Sequence, residues 1–202
     1  MRIAIVSDNH WHECPLPEAD FFVHCGDMTR HGRLNEVAIF AERLRKADYR
    51  AGILVPGNHD WCFESMPRMA AGLFDKRYRV LIDESWEYQD VSFYGSPWTL
   101  PFNNWAFMRP DPLLVETYKH MPGIVDVLVT HGPAYGMLDS GLGSIALRQA
   151  MDLRKVAHHV FGHIHSHGGE REVKDDGNMA YNVSLCDECY ALVNPPLLLE
   201  LP

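Results

Sequence analysis

The sequence predicts an α/β fold. Short apolar runs of strand length alternate with segments whose apolar residues recur at helical spacing. Five polar clusters each sit just past the C-terminal end of an apolar run, where open α/β sheets bind their ligands. No repeat, low-complexity tract or linker interrupts the chain, so one domain is expected over residues 1–202.

Arg2 to Val6 reads as a buried strand ending at Ser7-Asp8, and Phe21 to His24 as a second, ending at Cys25-Gly26-Asp27. Asn35 to Ala47 is expected to be a helix, with Val37, Phe40, Ala41 and Leu44 on one face and Asn35 as its cap. Ile53 to Val55 is a third strand, stopped by Pro56-Gly57, and Cys62 to Gly72 reads as helical. Strands follow at Arg79 to Ile82 and Val91 to Tyr94, the latter broken by Gly95-Ser96-Pro97. Residues 97–112, rich in proline, tryptophan and asparagine, read as an irregular loop. Asp126 to Val129 is a strand leading to Thr130-His131-Gly132, Ser144 to Lys155 a helix, and His158 to Phe161 a strand leading to Gly162-His163-Ile164-His165. Met179 to Val183 and Leu197 to Leu201 fit strands near the C-terminus.

Bulk properties narrow the function classes. With 47% hydrophobic and 22% charged residues the chain has a globular balance, and no apolar run approaches the ~20 residues a membrane span needs. The apolar N-terminal run is short and soon followed by Asp8, unlike a signal peptide, so a cytoplasmic location is expected. A formal charge of -9 disfavours a long nucleic acid as partner. The five cysteines, at 14, 25, 62, 186 and 189, do not form a disulfide framework, and Cys186 and Cys189 read as ordinary thiols.

The chemistry lies in the strand-end clusters: Asp8-Asn9-His10, Gly26-Asp27, Gly57-Asn58-His59-Asp60, Thr130-His131-Gly132 and Gly162-His163-Ile164-His165. Imidazole and carboxylate donors together suit Mn, Fe, Zn or Co. The i, i+2 pairs Asp8/His10 and His163/His165 would point to one side if the chain stays extended. Taken alone, His10 or His131 is better explained as a loop histidine, and Asp27 or Asn58-His59-Asp60 as a turn or cap, but their common placement at strand ends is not.

These blocks, D-x-H, G-D, G-N-H-D, a His before Gly, and G-H-x-H, resemble the calcineurin-like metallophosphoesterases from about Ile3 to His165. The resemblance implies a four-layer α/β/β/α sandwich and two divalent cations, with manganese the first to supply in vitro. It places Asp8, His10 and His165 on one metal, Asn58, His131 and His163 on the other, and Asp27 between them. His59 would protonate the leaving oxygen, with Asp60 orienting or polarising it. Paired cations lower the pKa of a shared water towards ~7, so the implied reaction is in-line attack of a bridging hydroxide on phosphorus.

Gly26-Asp27-Met28-Thr29, Tyr94-Gly95-Ser96-Pro97-Trp98-Thr99, Asp126 to Pro133 and Asn194-Pro195-Pro196 resemble the metallophosphoesterase-domain-containing phosphodiesterase subgroup more narrowly. Some vertebrate members carry glycine at the first histidine of G-H-x-H and are weak enzymes; here His163 stands there. The subgroup implies small phosphodiester substrates, including cyclic nucleotides. A phosphomonoesterase, a nuclease on short substrates and an inactive scaffold are the alternatives. A protein Ser/Thr phosphatase fits less well, because its G-D-x-x-D-R-G and R-G-N-H-E blocks are replaced by Gly26 to Gly32 and Pro56 to Asp60.

Around this centre, Arg30, His31 and His167 are candidates for phosphate contact or for the solvated surface. Trp98 and Asn103 in the 97–112 loop are candidates for substrate binding, and Trp105 lies in the same loop. Trp61 is expected to pack in the core or at the rim of the cleft, His24, His158 and His159 to be structural, and His12 and Glu13 to lie on the surface. The oligomeric state is not encoded in any of these features.

Overall fold

The computed structural model describes residues 1–13, 15–174 and 177–201; Cys14 lies outside them. In chain order the elements are β1 (Arg2–Val6), β2 (Phe21–His24), α1 (Leu34–Lys46), β3 (Ala51–Leu54), α2 (Trp61–Ser65), α3 (Pro67–Ala71), β4 (Tyr78–Val80), β5 (Glu84–Tyr88) and β6 (Val91–Ser96). They continue with α4 (Asp111–Tyr118), β7 (Ile124–Thr130), α5 (Ile145–Asp152), β8 (Lys155–Phe161), β9 (Arg171–Val173), β10 (Met179–Asn182) and β11 (Leu197–Glu200).

The strands form two sheets, ordered β11-β1-β2-β3-β4 and β5-β6-β7-β8-β10-β9. In the first, β1 to β4 run parallel and β11 joins β1 antiparallel. In the second, β6, β7, β8 and β10 run parallel, flanked by antiparallel β5 and β9. Ile3, Ile5, Phe21, Val23 and Ile53 of the first sheet meet Phe93, Val127, Val129 and Val160 of the second in one buried cluster. At about 1.5–3 kcal/mol per buried side chain, this apolar seam holds the sheets face to face and fixes where their strand ends lie.

The outer face of the first sheet packs against α1 to α3 through Phe22, Phe40, Leu44 and Phe63. The outer face of the second packs against α4 and α5 through Tyr94, Leu114, Leu128 and Leu147. The result is the expected α/β/β/α layering. At the C-terminal edge the sheets are laced by backbone bonds: Ser7 N–H donates to the Val183 carbonyl (3.1 Å) and Leu185 N–H to the Ser7 carbonyl (2.9 Å).

Several local expectations are corrected. Asn35 lies inside α1, and Arg33 is the cap residue; the Glu36 carboxylate accepts the Arg33 N–H at 3.0 Å. The helix expected over 62–72 is two short ones, because Pro67 excludes Met66 from helical geometry and leaves it at φ -139°. The predicted loop ends earlier than residue 112, at α4. Two edge strands, β5 and β9, escape the apolar pattern because they are short and charged. The turn joining β5 to β6 has Gln89 and Asp90 both at positive φ, a geometry more often signalled by Asn-Gly.

The extended geometry expected for Asp8/His10 and His163/His165 is also corrected. Asp8 (φ 53°), His10 (φ 42°), Asp27 (φ 57°) and His163 (φ 68°) all occupy the left-handed region, and His165 opens a 3₁₀ turn. The donors converge through sharp turns, not along an extended chain. Backbone held in this region stores strain that the surrounding structure must offset.

Candidate metal centre

Each proposed ligand follows a parallel strand: Asp8 after β1, Asp27 after β2, Asn58 after β3, His131 after β7, and His163 and His165 after β8. The face-to-face packing of the sheets brings these ends to one cleft of about 460 Å³, lined by His10, Asp27, Asn58, His59, His163 and His165 among others. Gly57 and Gly162 let the loops close in. A Cβ on Gly57 would collide with the Asp27 carboxylate, and one on Gly162 with the Asp8 carboxylate.

Asp27 is nearly fully buried, and its two oxygens face different partners. Oδ1 lies 3.5 Å from His131 Nε2 and accepts the His59 backbone N–H at 2.7 Å; Oδ2 lies 3.9 Å from His10 Nε2 and 4.0 Å from His59 Nε2. On one side His131 Nε2 stands 2.9 Å from Asn58 Oδ1. On the other, His10 Nε2 and His165 Nε2 face each other at 3.2 Å, with Asp8 Oδ1 3.3 Å from His165. Asp8 Oδ2 accepts the His163 N–H (3.0 Å) and the Ser184 hydroxyl (2.8 Å). The His163 ring lies 5.0 Å from that of His131.

Two of the imidazoles commit their other ring nitrogen to a backbone carbonyl. His131 Nδ1–H donates to the Cys25 carbonyl and His165 Nδ1–H to the Asp187 carbonyl, each at 2.9 Å. That leaves each Nε2 aimed at the other donors, which is how metal-binding imidazoles are oriented. Two Nε2 atoms at 3.2 Å share at most one proton, and the buried His10 Nδ1 has no hydrogen-bond partner. These clustered lone pairs fit divalent cations. Asp8/His10/His165 and Asp8/Asp27/His131 each bring their donor atoms within 4.8 Å of one another.

Electrostatics agree with this donor set. Burial favours the neutral form of Asp27, but the neighbouring imidazoles, His131 first, outweigh it and hold the carboxyl well below its ordinary range. Burial lowers His10 to about 4 and His163 to about 3, so both rings are neutral at pH 7 with lone pairs free for a cation. Burial also opposes charge on His131, yet the adjacent Asp27 carboxylate raises it to about 9.

Asp60 sits beneath the centre, fully buried. Its Oδ2 accepts the N–H groups of Asp27 (2.9 Å), Gly57 (2.8 Å) and Met28 (3.3 Å), and its Oδ1 accepts the Thr29 N–H and hydroxyl (3.0 and 2.7 Å). Burial and the Asp27 charge push it up to about 6, against these hydrogen bonds. Asp60 therefore ties the Asp27 and Asn58 loops together. The partner of the His59 ring is instead the Arg30 carbonyl, 3.0 Å from Nδ1, so the orienting role expected of Asp60 falls to backbone.

The other sequence candidates divide. Asn103 (φ 51°) and Trp105 line the cleft, and Trp105 stacks on His59 at 4.2 Å between ring centroids. Trp98 lies outside that lining; its indole N–H donates to Asp83 (2.8 Å) and the Arg109 guanidinium covers its ring. The Arg30 and His31 side chains are exposed and do not line the cleft. His24 is structural, with Nε2–H donating to Asn9 Oδ1 (2.8 Å) and Nδ1 accepting the Gly26 N–H (3.1 Å). Buried His159 contacts the Thr130 hydroxyl at 2.8 Å.

The sequence reading missed Phe102, Ser140, Glu188 and Tyr190, all on the cleft wall. Tyr190 (φ 61°) sets its ring 4.7 Å from His10 and 5.4 Å from His165. No local signal marks these residues; Tyr190 reaches the site through a turn closed by Cys186 pairing with Leu192. No disulfide joins the cysteines among the described residues. No helix among these residues is long and apolar enough to cross a membrane.

Comparison with known proteins agrees with the geometry. Residues 1–167 match the family model of the calcineurin-like phosphoesterases. The chain is 32% identical to human metallophosphoesterase domain-containing protein 1, over 100% of this chain and 71% of that protein. It is 29% identical to a UPF0046 protein of Caenorhabditis elegans, over 100% of this chain and 81% of that one. A crystal structure of a Thermus thermophilus protein superposes with a TM-score of 0.67 at 15% identity, covering 92% of this chain and 89% of that one, a likeness of fold. With strand-end carboxylates and imidazoles gathered around Asp27, the chain belongs to the calcineurin-like phosphoesterase family and is a metal-dependent phosphoesterase.

Proposed function

We propose that this chain is a phosphodiesterase for small, nucleotide-type esters, using two divalent cations. Asp8, His10 and His165 would hold one, Asn58, His131 and His163 the other, with Asp27 shared. When bound, such a pair supplies Lewis-acid polarisation of the phosphoryl oxygens and an activated water near neutral pH.

The chain's own residues supply the rest. With Nδ1–H donated to the Arg30 carbonyl, the His59 ring is held with Nε2 in the cleft, 4.0 Å from Asp27 Oδ2. Trp105 stacked on its face keeps it from turning away. A protonated Nε2 can then give its proton to the departing oxygen.

The observation carrying the diester reading is the wall of the cleft. Beyond the ligands it presents the rings of Phe102, Trp105 and Tyr190, the amide of Asn103 and one further carboxylate, Glu188. Apart from a proton on His59, the cations alone would then neutralise the substrate, which suits a singly charged diester better than a doubly charged monoester. The rings offer stacking surfaces for a base.

A substrate panel with Mn²⁺-loaded protein tests this. Bis(p-nitrophenyl) phosphate and cyclic nucleotides should turn over at least about tenfold faster than p-nitrophenyl phosphate. Faster monoester turnover would make the protein a monoesterase. Cleavage confined to short oligonucleotides would make it a nuclease, and a fully loaded but inert protein would favour the scaffold.

A further inference from the structure

The rings on the cleft wall fall into two groups, one on each side of Asp27. Its Oδ1 faces His131 (3.5 Å to Nε2), and its Oδ2 faces His10 and His59 (3.9 and 4.0 Å). On the His131 side the Phe102 ring lies 5.3 Å from that of His163, which is itself 5.0 Å from the His131 ring. On the His10 side the Tyr190 ring lies 4.7 Å from His10 and 6.2 Å from His59, and Trp105 stacks on His59. Among the described residues no ring contact joins Phe102 to Trp105 or Tyr190.

Both faces are built in advance. The loop carrying Phe102 is closed at its neck, where Thr99 N–H donates to the Phe107 carbonyl and Arg109 N–H to the Thr99 carbonyl, each at 3.0 Å. Ala106 N–H pins it to the site by donating to the Asn58 carbonyl at 3.1 Å. The turn carrying Tyr190 is held by Asp187, whose Oδ1 accepts the N–H groups of Cys189 and Ala191, each at 2.9 Å. The Tyr190 carbonyl accepts the His12 Nε2–H at 2.9 Å. Both rings nevertheless stay exposed. Exposed rings on ordered loops gain from a ligand that covers them, and little entropy is lost in using them.

A phosphoryl group centred over Asp27 carries one substituent in a monoester and two in an open-chain diester. In-line displacement sends the departing and the retained substituents in different directions from phosphorus, so one face cannot serve both. The cleft, at about 460 Å³, has the size of sites that take ligands of ~300–1,000 Å³ class. We infer that Phe102 is the specificity-determining residue of a second ester subsite, stacking a flat substituent on the His163 side of phosphorus while Trp105 and Tyr190 take the other. The preferred ligand is then an open-chain diester with a ring on each side of phosphorus, such as two nucleosides joined through one phosphate. The inference rests on the phosphodiesterase reading proposed above and narrows its substrate class.

Calorimetry on Mn²⁺-loaded protein with two phosphinates tests it, because each carries one negative charge and P–C bonds that are not hydrolysed. Diphenylphosphinate, with a ring on each side, should bind about tenfold more tightly than methyl(phenyl)phosphinate, the scale of one stacking contact. Phe102→Ala should bring that ratio close to one, with metal content unchanged and methyl(phenyl)phosphinate affinity within about twofold of the unaltered protein. Phe102→Leu, which keeps apolar bulk without a flat face, should fall between. Equal affinities in the unaltered protein, absence of binding, a ratio that survives Phe102→Ala, or a loss of both affinities together in that variant overturns the inference. Turnover of bis(p-nitrophenyl) phosphate against p-nitrophenyl phosphate is scored separately. Diester turnover with equal phosphinate affinities sinks this inference alone, whereas a monoester preference sinks the reading beneath it as well.

Discussion

Asp8, Asp27 and His131 stand at strand ends with almost no exposed surface, while Phe102 and Tyr190, on the wall of the same cleft, are 41% and 40% exposed. The first group is fixed by the packed sheets, by flush glycines and by Asp60 bonded to the backbone beneath. The second hangs from two long connections, between β6 and α4 and between β10 and β11. A rigid base fixed by strand packing and a wall built on loops separate two tasks: holding cations and selecting what reaches them.

Substitutions can break this division from either side. Asp27→Ala removes the carboxylate proposed to be shared by the two cations; hydrolysis should fall to background and metal content, measured by elemental analysis, should drop with it. His59→Ala should keep its metal yet lose about 10²- to 10⁴-fold in kcat on esters with poor leaving groups, and much less on p-nitrophenyl esters. If metal content collapses instead, His59 belongs to the donor set. Asp60→Asn turns an amide N–H₂ towards backbone donors and should weaken metal affinity about 10- to 100-fold in a titration without touching any ligand. Trp105→Ala, on the wall, should raise KM for a nucleotide diester about tenfold with metal content unchanged, the scale of one lost stacking contact.

The smallest effect is a pH dependence. In the metal-free chain the charged His131 beside Asp27 stabilises the fold; that contribution is full below about 6.5, the ordinary imidazole value, and is lost as pH rises through about 9. His165 is shifted in the same direction, with burial opposed by its hydrogen bond to Asp8. Between these limits the metal-free melting temperature should fall with pH. Metal affinity should rise over the same range, because the cation must displace the His131 proton. Parallel trends in the two measurements would show that His131 is not a ligand.

The same division explains what was readable from the chain. The strand-end clusters were legible because a parallel strand, a glycine and a polar donor are contiguous in sequence, and the sheet brings such blocks to one edge. The turns that aim Asp8, His10, Asp27 and His163 were not legible, because nothing in their residue types demands positive φ. The role of Asp60 was misread because its neighbour in sequence, His59, is not its partner in space. Tyr190 and Ser140 were invisible because long connections, with no periodic pattern, carry them to the cleft. β5 and β9 were lost to their charge, being strands that need only one apolar face.

The lacing of the two sheets at the cleft has a mechanical consequence. Asp8, Asp27 and Asn58 belong to one sheet, and His131, His163 and His165 to the other, so each proposed cation would be gripped from both sides of the sandwich. It would act as a rivet through the joint, clamping at its edge two leaves that elsewhere adhere by greasy contact. Chelation would then do more than silence the chemistry: it would let the leaves splay at that edge, opening the backbone there to proteases and to hydrogen exchange while the far end stays shut.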